Sequence, residues 1–264
     1  MKNSKLSILL SVSLLGLVGC GSSSSTTTPA TTTASATSEA TAETVSSDVM
    51  SYAEYVEASV DSEVTVETYV QAKQGWWENN GQGVATIYTQ DEDGAYFLYN
   101  MPMTEEEYNE LVEGTKIKVT GYKSEWSGEV EITDATFVVE EGSYIATAED
   151  LTDVLANEEE LIKHQNEKVA FKGLTVSAST DPEGNEVAYL YNYDGSGTQG
   201  DDLYFNVDLD GNTYTFTVES YLCGQDTDVY KAVEALNVGD TIDVEGFLYW
   251  YNGVNPHITS VTVK

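Results

Sequence analysis

Two stretches of the chain decide the fold: Leu111–Gly121, which reads LVEGTKIKVTG, and Leu236–Gly246, which reads LNVGDTIDVEG. Leu, Gly, Ile, Val and Gly recur in both at one spacing, and each stretch is followed at the same distance by a further glycine, Gly128 or Gly253. The alternation of apolar and polar residues after the first glycine is typical of a half-buried β-strand. The chain is therefore predicted to contain one structural unit twice.

The segments upstream of the two stretches also correspond. Each unit is predicted to open with a short helix and then a strand: a helix at 52–57 and a strand at 64–70 in the first, a helix at 148–155 and a strand at 169–176 in the second. Thr147 is a candidate N-cap of the second helix, with Asp150 three residues on as an acidic variant of the capping box. Thr68 stands where the second unit has Gly173, so a glycine that helps a strand to bend is missing from the first.

The middle of each unit is predicted to be a hairpin followed by a helix. The predicted hairpin strands are 84–88 with 95–99, and 203–207 with 214–218, joined in both cases by an acidic Asp-Gly turn. The helices are predicted at 105–112, with Thr104 as N-cap and Glu107 completing a capping box, and at 229–236, with Asp226, Thr227 and Asp228 as alternative N-caps. Final strands are predicted at 130–138 and 258–263.

This order of three strands, a helix and two strands resembles the OB-fold, and in particular the small OB-like domains of secreted and surface-anchored bacterial proteins. The resemblance covers 49–141 and 142–264. It implies a mainly β protein of two tandem five-stranded Greek-key barrels, each with a short helix between its third and fourth strands. Because this fold carries many unrelated activities, the resemblance alone implies no function.

The amino terminus has the features of a secretory signal. Lys2 and Lys5 precede an apolar run, 6–18, that is too short to span a bilayer comfortably as a helix. The run ends in Leu17-Val18-Gly19-Cys20, which resembles the lipobox of bacterial lipoproteins. The resemblance implies a signal peptide over 1–19, a lipidated Cys20 and an extracytoplasmic location on the cell membrane. The alternative is an ordinary cleaved signal or a membrane helix in which Cys20 is incidental.

Residues 20–48 are predicted to be a flexible, disordered tether. They are nearly all Ser, Thr, Ala and Glu and include no aromatic residue, so they cannot bury enough apolar area to offset their ordering entropy. If Cys20 is lipidated, Cys223 has no partner for a disulfide, and the fold must be stabilised by its hydrophobic core.

The chain is strongly acidic, with a formal net charge of −34 and no arginine. This composition disfavours nucleic acid as a partner, because phosphate contacts and single-strand binding depend on basic side chains. A simpler interpretation of the acidity is solubility in an external medium.

Aromatic residues concentrate where OB-folds usually meet ligands, on strands 2 and 3 and on the loops at either end of the barrel. The predicted ligand-binding residues are Trp76, Trp77, Tyr88, Tyr96, Trp126, Tyr191, Tyr249 and Trp250. Such rings can stack on sugars, nucleobases or apolar peptide groups. The alternative is that the strand tyrosines merely fit a half-buried pleated surface. We expect a non-enzymatic binding module for a neutral glycan or a protein; the alternative is a structural or envelope-assembly protein that packs on a partner.

No catalytic residue, metal site or cofactor is predicted. Residues 208–219 partly resemble a calcium loop, but Thr213 occupies the glycine position and 214–218 alternate as a strand, which favours a turn. The acidic loop 194–202 is interpreted as a solvated insertion, with weak calcium binding as the alternative. His164 and His257 have no visible partner that would act as a base or nucleophile.

Overall fold

The computed structural model describes residues 49–264. In this part of the chain, strands of alternating apolar and polar residues are joined by short polar turns and form two closed barrels. The predicted signal peptide 1–19, the predicted lipidation site Cys20 and the predicted tether 20–48 lie outside the described residues. The first barrel region contains α1 (Tyr52–Glu57), β1 (Glu63–Lys73), β2 (Trp77–Asn79), β3 (Gln82–Gln90), β4 (Ala95–Pro102), α2 (Glu105–Glu110), β5 (Thr115–Trp126) and β6 (Glu129–Ser143).

The second barrel region follows directly. It contains β7 (Glu149–Asp150), a 3-10 turn (Thr152–Val154), α3 (Glu158–Leu161), a second 3-10 turn (Ile162–His164), β8 (Lys168–Ser177), β9 (Ser179–Thr180), β10 (Glu186–Val187), β11 (Leu190–Tyr191), β12 (Leu203–Leu209), β13 (Asn212–Val218), α4 (Asp228–Glu234), β14 (Thr241–Phe247) and β15 (His257–Val263).

Both barrels close with the same strand order. In the first, β1 pairs with β3 and β5, β3 pairs with β4, and β6 pairs antiparallel with β5 and parallel with β4. In the second, β8, β12, β13, β15 and β14 repeat this ring, again with one parallel pair, β13 with β15. The predicted fold class is therefore confirmed: the protein is mainly β, and each OB-like Greek-key barrel has a short helix between its third and fourth strands, α2 or α4.

Three of the four predicted helices are present. α1 has the predicted bounds, and α2 has the predicted capping box of Thr104 and Glu107. α4 begins after Thr227, which is the N-cap among the three alternatives. α2 and α4 end two residues before their predicted ends, since their last turns continue into the glycine turns that precede β5 and β14.

The helix predicted at 148–155 is wrong. Glu149 and Asp150 form the short strand β7, which pairs in parallel with β8, and only a 3-10 turn follows. The Asp150 carboxylate accepts hydrogen bonds from the Thr152 backbone N–H and hydroxyl, at 3.2 and 2.6 Å, instead of serving a helix start at Thr147. Tertiary strand pairing therefore overrides the local helix signal.

The difference between Thr68 and Gly173 has a local explanation. Gly173 has a φ of +68°, and its N–H donates to Asp243 Oδ1 at 2.9 Å. Thr68 lies in the continuous strand β1 and is buried, so the first barrel has no need of glycine there. The acidic stretch after residue 208 is a hairpin, as predicted: Asp210 and Gly211 take positive φ values of 50° and 85° between β12 and β13.

The two barrels meet at an aromatic contact, which we call the seam: Tyr88 and Phe97 of the first barrel against Phe247 of the second. Tyr88 stacks on Phe247 with ring centroids 4.5 Å apart. Each barrel also has its own apolar core. The described residues belong to one compact unit, so the boundary predicted between 141 and 142 stays a prediction. Within the described residues, no helix is long and apolar enough to cross a membrane.

Candidate ligand-binding cleft

Beside the seam the two barrels leave an open cleft of about 420 Å³. From the first barrel region it is lined by Gln74, Trp77, Thr86, Phe97, Tyr99 and Asn100, and from the second by Glu219, Tyr221, Tyr249 and His257. Four partly exposed aromatic side chains and several polar groups thus share one concave surface, which is typical of a small-molecule site.

Trp77 reaches the cleft because two neighbouring tryptophans point in opposite directions. Trp77 begins β2, pairs with Val84 and is 46% exposed. The side chain of Trp76 packs on the first core, and its indole N–H donates to the carbonyl of Met103 at 3.1 Å. Gly83 makes room for it, since a Cβ there would lie 2.4 Å from the Trp76 ring. Of the two, only Trp77 is available to a ligand in the cleft.

Tyr99 is turned into the cleft by a β-bulge. The pairing of β3 with β4 shifts between Ala85 and Ile87, opposite Tyr99 and Asn100. Asn100 takes a φ of +45°, and its N–H donates to the Thr86 hydroxyl at 3.1 Å. Bulges of this kind redirect a side chain next to a site.

Glu219 supplies the acidic group of the cleft from the turn after β13. Its Oε2 accepts a hydrogen bond from the Gln74 side-chain amide at 2.8 Å, and the Gly75 N–H donates to the Tyr221 carbonyl at 2.9 Å nearby. Burial, followed by the charge of Asp202, raises the pKa of Glu219 to about 8. At neutral pH the carboxyl is therefore mostly protonated and can both donate and accept hydrogen bonds.

His257 forms part of the floor of the cleft. Its ring stacks on Tyr249 at 4.2 Å, and its Nδ1 lies 2.7 Å from the Tyr88 hydroxyl. Burial lowers the pKa of His257 to about 3 and raises that of Tyr88, so both groups are uncharged at neutral pH. The two groups therefore share one neutral hydrogen bond, whose direction is set by the tautomer of His257.

The predicted binding residues do not form one surface. Trp77 and Tyr249 line the cleft, and Tyr88 lies fully buried beneath it. Tyr96 is buried in the first core, and Trp250 is 9% exposed. The remaining two lie elsewhere: Trp126 packs against Tyr251 at 5.1 Å, and the Tyr191 hydroxyl donates to Glu234 at 2.7 Å.

Several lining residues were missed from the sequence: Gln74, Tyr99, Asn100, Glu219, Tyr221 and His257. Glu219 is one of 45 acidic residues, and nothing in its neighbours distinguishes it. The pair Tyr99-Asn100 weakly indicates a β-bulge, since asparagine tolerates positive φ and can mark an irregularity between two strands.

A second polar contact between the barrels centres on a buried carboxylate, and we call it the Glu129 node. Glu129 is fully buried and accepts hydrogen bonds from Asn166 Nδ2 at 2.5 Å, Gln165 Nε2 at 3.3 Å and the Trp250 N–H at 2.9 Å. Burial raises its pKa to about 8, although these donors act in the opposite direction. The node joins β6 to the loops on either side of the second barrel.

No protein-family model matches the chain, and no curated protein matches it. Solved structures similar to it include p202 HIN1 in complex with 12-mer dsDNA (TM-score 0.35, 12% identity, 78% of this chain and 94% of that one). Another is a murine DNA-binding protein bound with double-stranded DNA (TM-score 0.33, 14% identity, 76% of this chain and 94% of that one). A third is a Replication Protein A heterotrimer bound to single-stranded DNA (TM-score 0.32, 13% identity, 75% of this chain and 50% of that one).

These similarities correct one prediction. The prediction that nucleic acid is an unlikely partner is contradicted by these similar structures, since all three contain a protein with bound DNA. The physical reason is that net charge describes the whole chain, whereas a contact depends on the local surface that makes it. Identities of 12–14% assign no ligand to this chain, so DNA is included in the test below.

Proposed function

We propose that the chain is a lipid-anchored, non-enzymatic binding protein outside the cytoplasm, and that its cleft holds a neutral glycan. One observation carries the choice of ligand: four partly exposed aromatic side chains, Trp77, Tyr99, Tyr221 and Tyr249, share the cleft with polar groups that are uncharged at neutral pH. A structural or envelope-assembly role with a partner protein is the alternative.

The chemistry of a sugar ring fits this surface. A pyranose has an apolar face of C–H groups that stacks on an aromatic ring, and hydroxyls around its edge that need donors and acceptors. The side-chain amides of Gln74 and Asn100 offer both, as does the protonated carboxyl of Glu219. No lysine is among the ten residues that line the cleft, so it offers no positive charge to an anionic group.

The ligand is tested by isothermal titration calorimetry of the full, untagged chain in mild detergent. The titrants are soluble neutral polysaccharides, single-stranded DNA and double-stranded DNA. We expect saturable binding of a polysaccharide that Trp77→Ala weakens by about 10-fold or more, because a ring contact is worth roughly 0.5–1.5 kcal/mol beyond its buried area. Trp126→Ala is the matched control, since Trp126 is similarly exposed but lies outside the cleft.

The other outcomes decide between the alternatives. Equal loss of affinity in Trp77→Ala and Trp126→Ala would place binding outside the cleft. DNA binding that depends on Trp77 would make nucleic acid the ligand. If neither class of polymer binds, the partner-protein role is favoured.

The lipid anchor is supported by the basic residues Lys2 and Lys5, the apolar run 6–18 and the lipobox that ends in Cys20. The test is metabolic labelling with radioactive palmitate in a bacterial host. We expect label in the wild-type chain and in Cys223→Ser, and none in Cys20→Ser. Since the chain has two cysteines, these two variants test every cysteine that could carry the label. Label that persists in Cys20→Ser would contradict the anchor.

A further inference from the structure

Outside the cleft, three side chains with metal-binding atoms converge at the edge of the second barrel. His164 Nδ1 lies 2.8 Å from Glu167 Oε2 and 3.5 Å from Glu149 Oε2, and the three potential ligand atoms all lie within 4.8 Å of one another. We propose that Glu149, His164 and Glu167 bind a divalent transition-metal ion of the zinc type.

The geometry fits such an ion without rebuilding the backbone. Zinc binds imidazole nitrogen at about 2.0–2.1 Å and carboxylate oxygen at about 2.0–2.2 Å, so neighbouring ligand atoms in a tetrahedron lie roughly 3.3–3.5 Å apart. The 3.5 Å from His164 Nδ1 to Glu149 Oε2 matches that separation, whereas the 2.8 Å to Glu167 Oε2 is a hydrogen bond that a bound ion would replace and lengthen. Glu149 is more exposed, and a small side-chain movement would complete the set.

The local charge also favours a cation. His164 is the only basic partner of Glu149 and of Glu167 among the ion pairs of the described residues. The Glu167 side chain is only 12% exposed, and Glu149 and Asp91 add negative charge around it. A divalent ion would balance the charge of the two carboxylates.

The set of donors selects the class of ion. An imidazole with two carboxylates suits zinc and its neighbours among the transition metals, whereas calcium and magnesium prefer oxygen ligands throughout. Three protein ligands leave a fourth position for water. The site also borders the Glu129 node, because Gln165 and Asn166 lie between His164 and Glu167 in the chain.

Proton NMR can test the site directly, because the chain has few histidines. The chain has two histidines, so the imidazole region of the proton NMR spectrum of the untagged full chain contains two sets of signals. We expect added Zn²⁺ to shift or broaden the His164 set in a saturable manner. The His257 set serves as an internal control, because that ring is buried and bonded to Tyr88.

Calorimetry with Zn²⁺ measures the affinity and its dependence on each ligand. We expect His164→Ala and Glu149→Gln to weaken binding by more than the ~10–100-fold that loss of an outer-shell partner costs. Glu149 is exposed, so Glu149→Gln keeps the test valid even if another variant fails to fold. Glu186→Gln, an exposed residue of β10, is the matched control.

Two results would overturn the site. The first is an unchanged His164 signal at molar excess of Zn²⁺. The second is binding that His164→Ala leaves intact and that Ca²⁺ or Mg²⁺ reproduces, which would indicate general attraction to an acidic surface. Neither result depends on what the cleft binds.

Discussion

Glu129 and Glu219 are two carboxylates placed between the same two barrels, and burial raises the pKa of both to about 8. Their surroundings differ. Glu129 belongs to the first barrel, is fully buried and accepts three hydrogen bonds from the second. Glu219 belongs to the second, accepts one side-chain hydrogen bond from Gln74 of the first, and borders the open cleft.

The difference shows that a perturbed pKa does not by itself identify a functional carboxylate. Such shifts also occur in structural networks. The two carboxylates differ in the number of their protein partners and in their access to solvent. The hydrogen bonds of Glu129 are all made within the protein, whereas Glu219 has hydrogen-bonding capacity left for a ligand. The node should therefore determine stability, and the cleft should determine binding.

The largest effect is expected from Glu129→Ala. The substitution removes the acceptor of three hydrogen bonds, from Gln165, Asn166 and the Trp250 N–H; the two amides each keep one backbone carbonyl as a second acceptor. We expect the free energy of unfolding to fall by about 3 kcal/mol, measured by urea unfolding of the full chain in mild detergent. Glu125→Ala is the control at an exposed position of β5 and should change it by less than about 0.5 kcal/mol. Equal losses of stability in Glu129→Ala and Glu125→Ala would show that the Glu129 node contributes no more to stability than an exposed carboxylate does.

The sequence was sufficient for the parts of the fold that local patterns specify. The repeated Leu-Gly-Ile-Val-Gly pattern and the Asp-Gly turns predicted two barrels of the correct strand order, and Thr104 with Glu107 predicted a capping box that is present. The helix predicted at 148–155 failed because a strand partner distant in sequence, β8, competes for the same residues.

The cleft could not be predicted, because it depends on how the barrels pack. Tyr88 and His257 are 169 residues apart and form one hydrogen bond. A period of two indicates that Trp76 and Trp77 face opposite sides, but the side that faces the core depends on register with β3. Glu129 and Glu219 resemble any other of the 45 acidic residues.

The next largest effect is expected from Tyr88→Phe, which tests the floor of the cleft. The variant keeps the ring stacked on Phe247 but leaves His257 Nδ1 without its hydrogen-bond partner. We expect a loss of about 2 kcal/mol in the free energy of unfolding, since an unpaired buried polar group costs roughly 1–3 kcal/mol. Tyr122→Phe, at a half-exposed tyrosine, should be neutral in the same urea experiment. Similar losses in both would show that the hydroxyl at Tyr88 has no special role.

The pH dependence of stability tests both carboxylates together. Between pH 6.5 and 8 the folded chain holds protons on Glu129 and Glu219 that the unfolded chain has already lost, so the free energy of unfolding should fall as pH rises. Below about pH 7.5 the low pKa of His257 partly opposes this trend, because the unfolded histidine still loses its proton there; Glu219→Gln leaves that contribution unchanged. In Glu219→Gln we expect the fall to be smaller by about 1 kcal/mol. An unchanged slope would mean that Glu219 is ionised in the folded chain.

The smallest loss of stability is expected from Gln74→Ala, which enlarges the cleft. Gln74→Ala removes the amide that donates to Glu219, and Gln165→Ala removes one that donates to Glu129 and to the Gly128 carbonyl. Water can replace the first donor at the partly exposed Glu219, whereas the Glu129 carboxylate that loses the second donor is fully buried. We expect Gln74→Ala to cost less than about 0.5 kcal/mol and Gln165→Ala at least about 1 kcal/mol more, by urea unfolding. If the two amides cost the same, Glu219 is as enclosed as Glu129, and its carboxyl has no capacity to spare for a ligand.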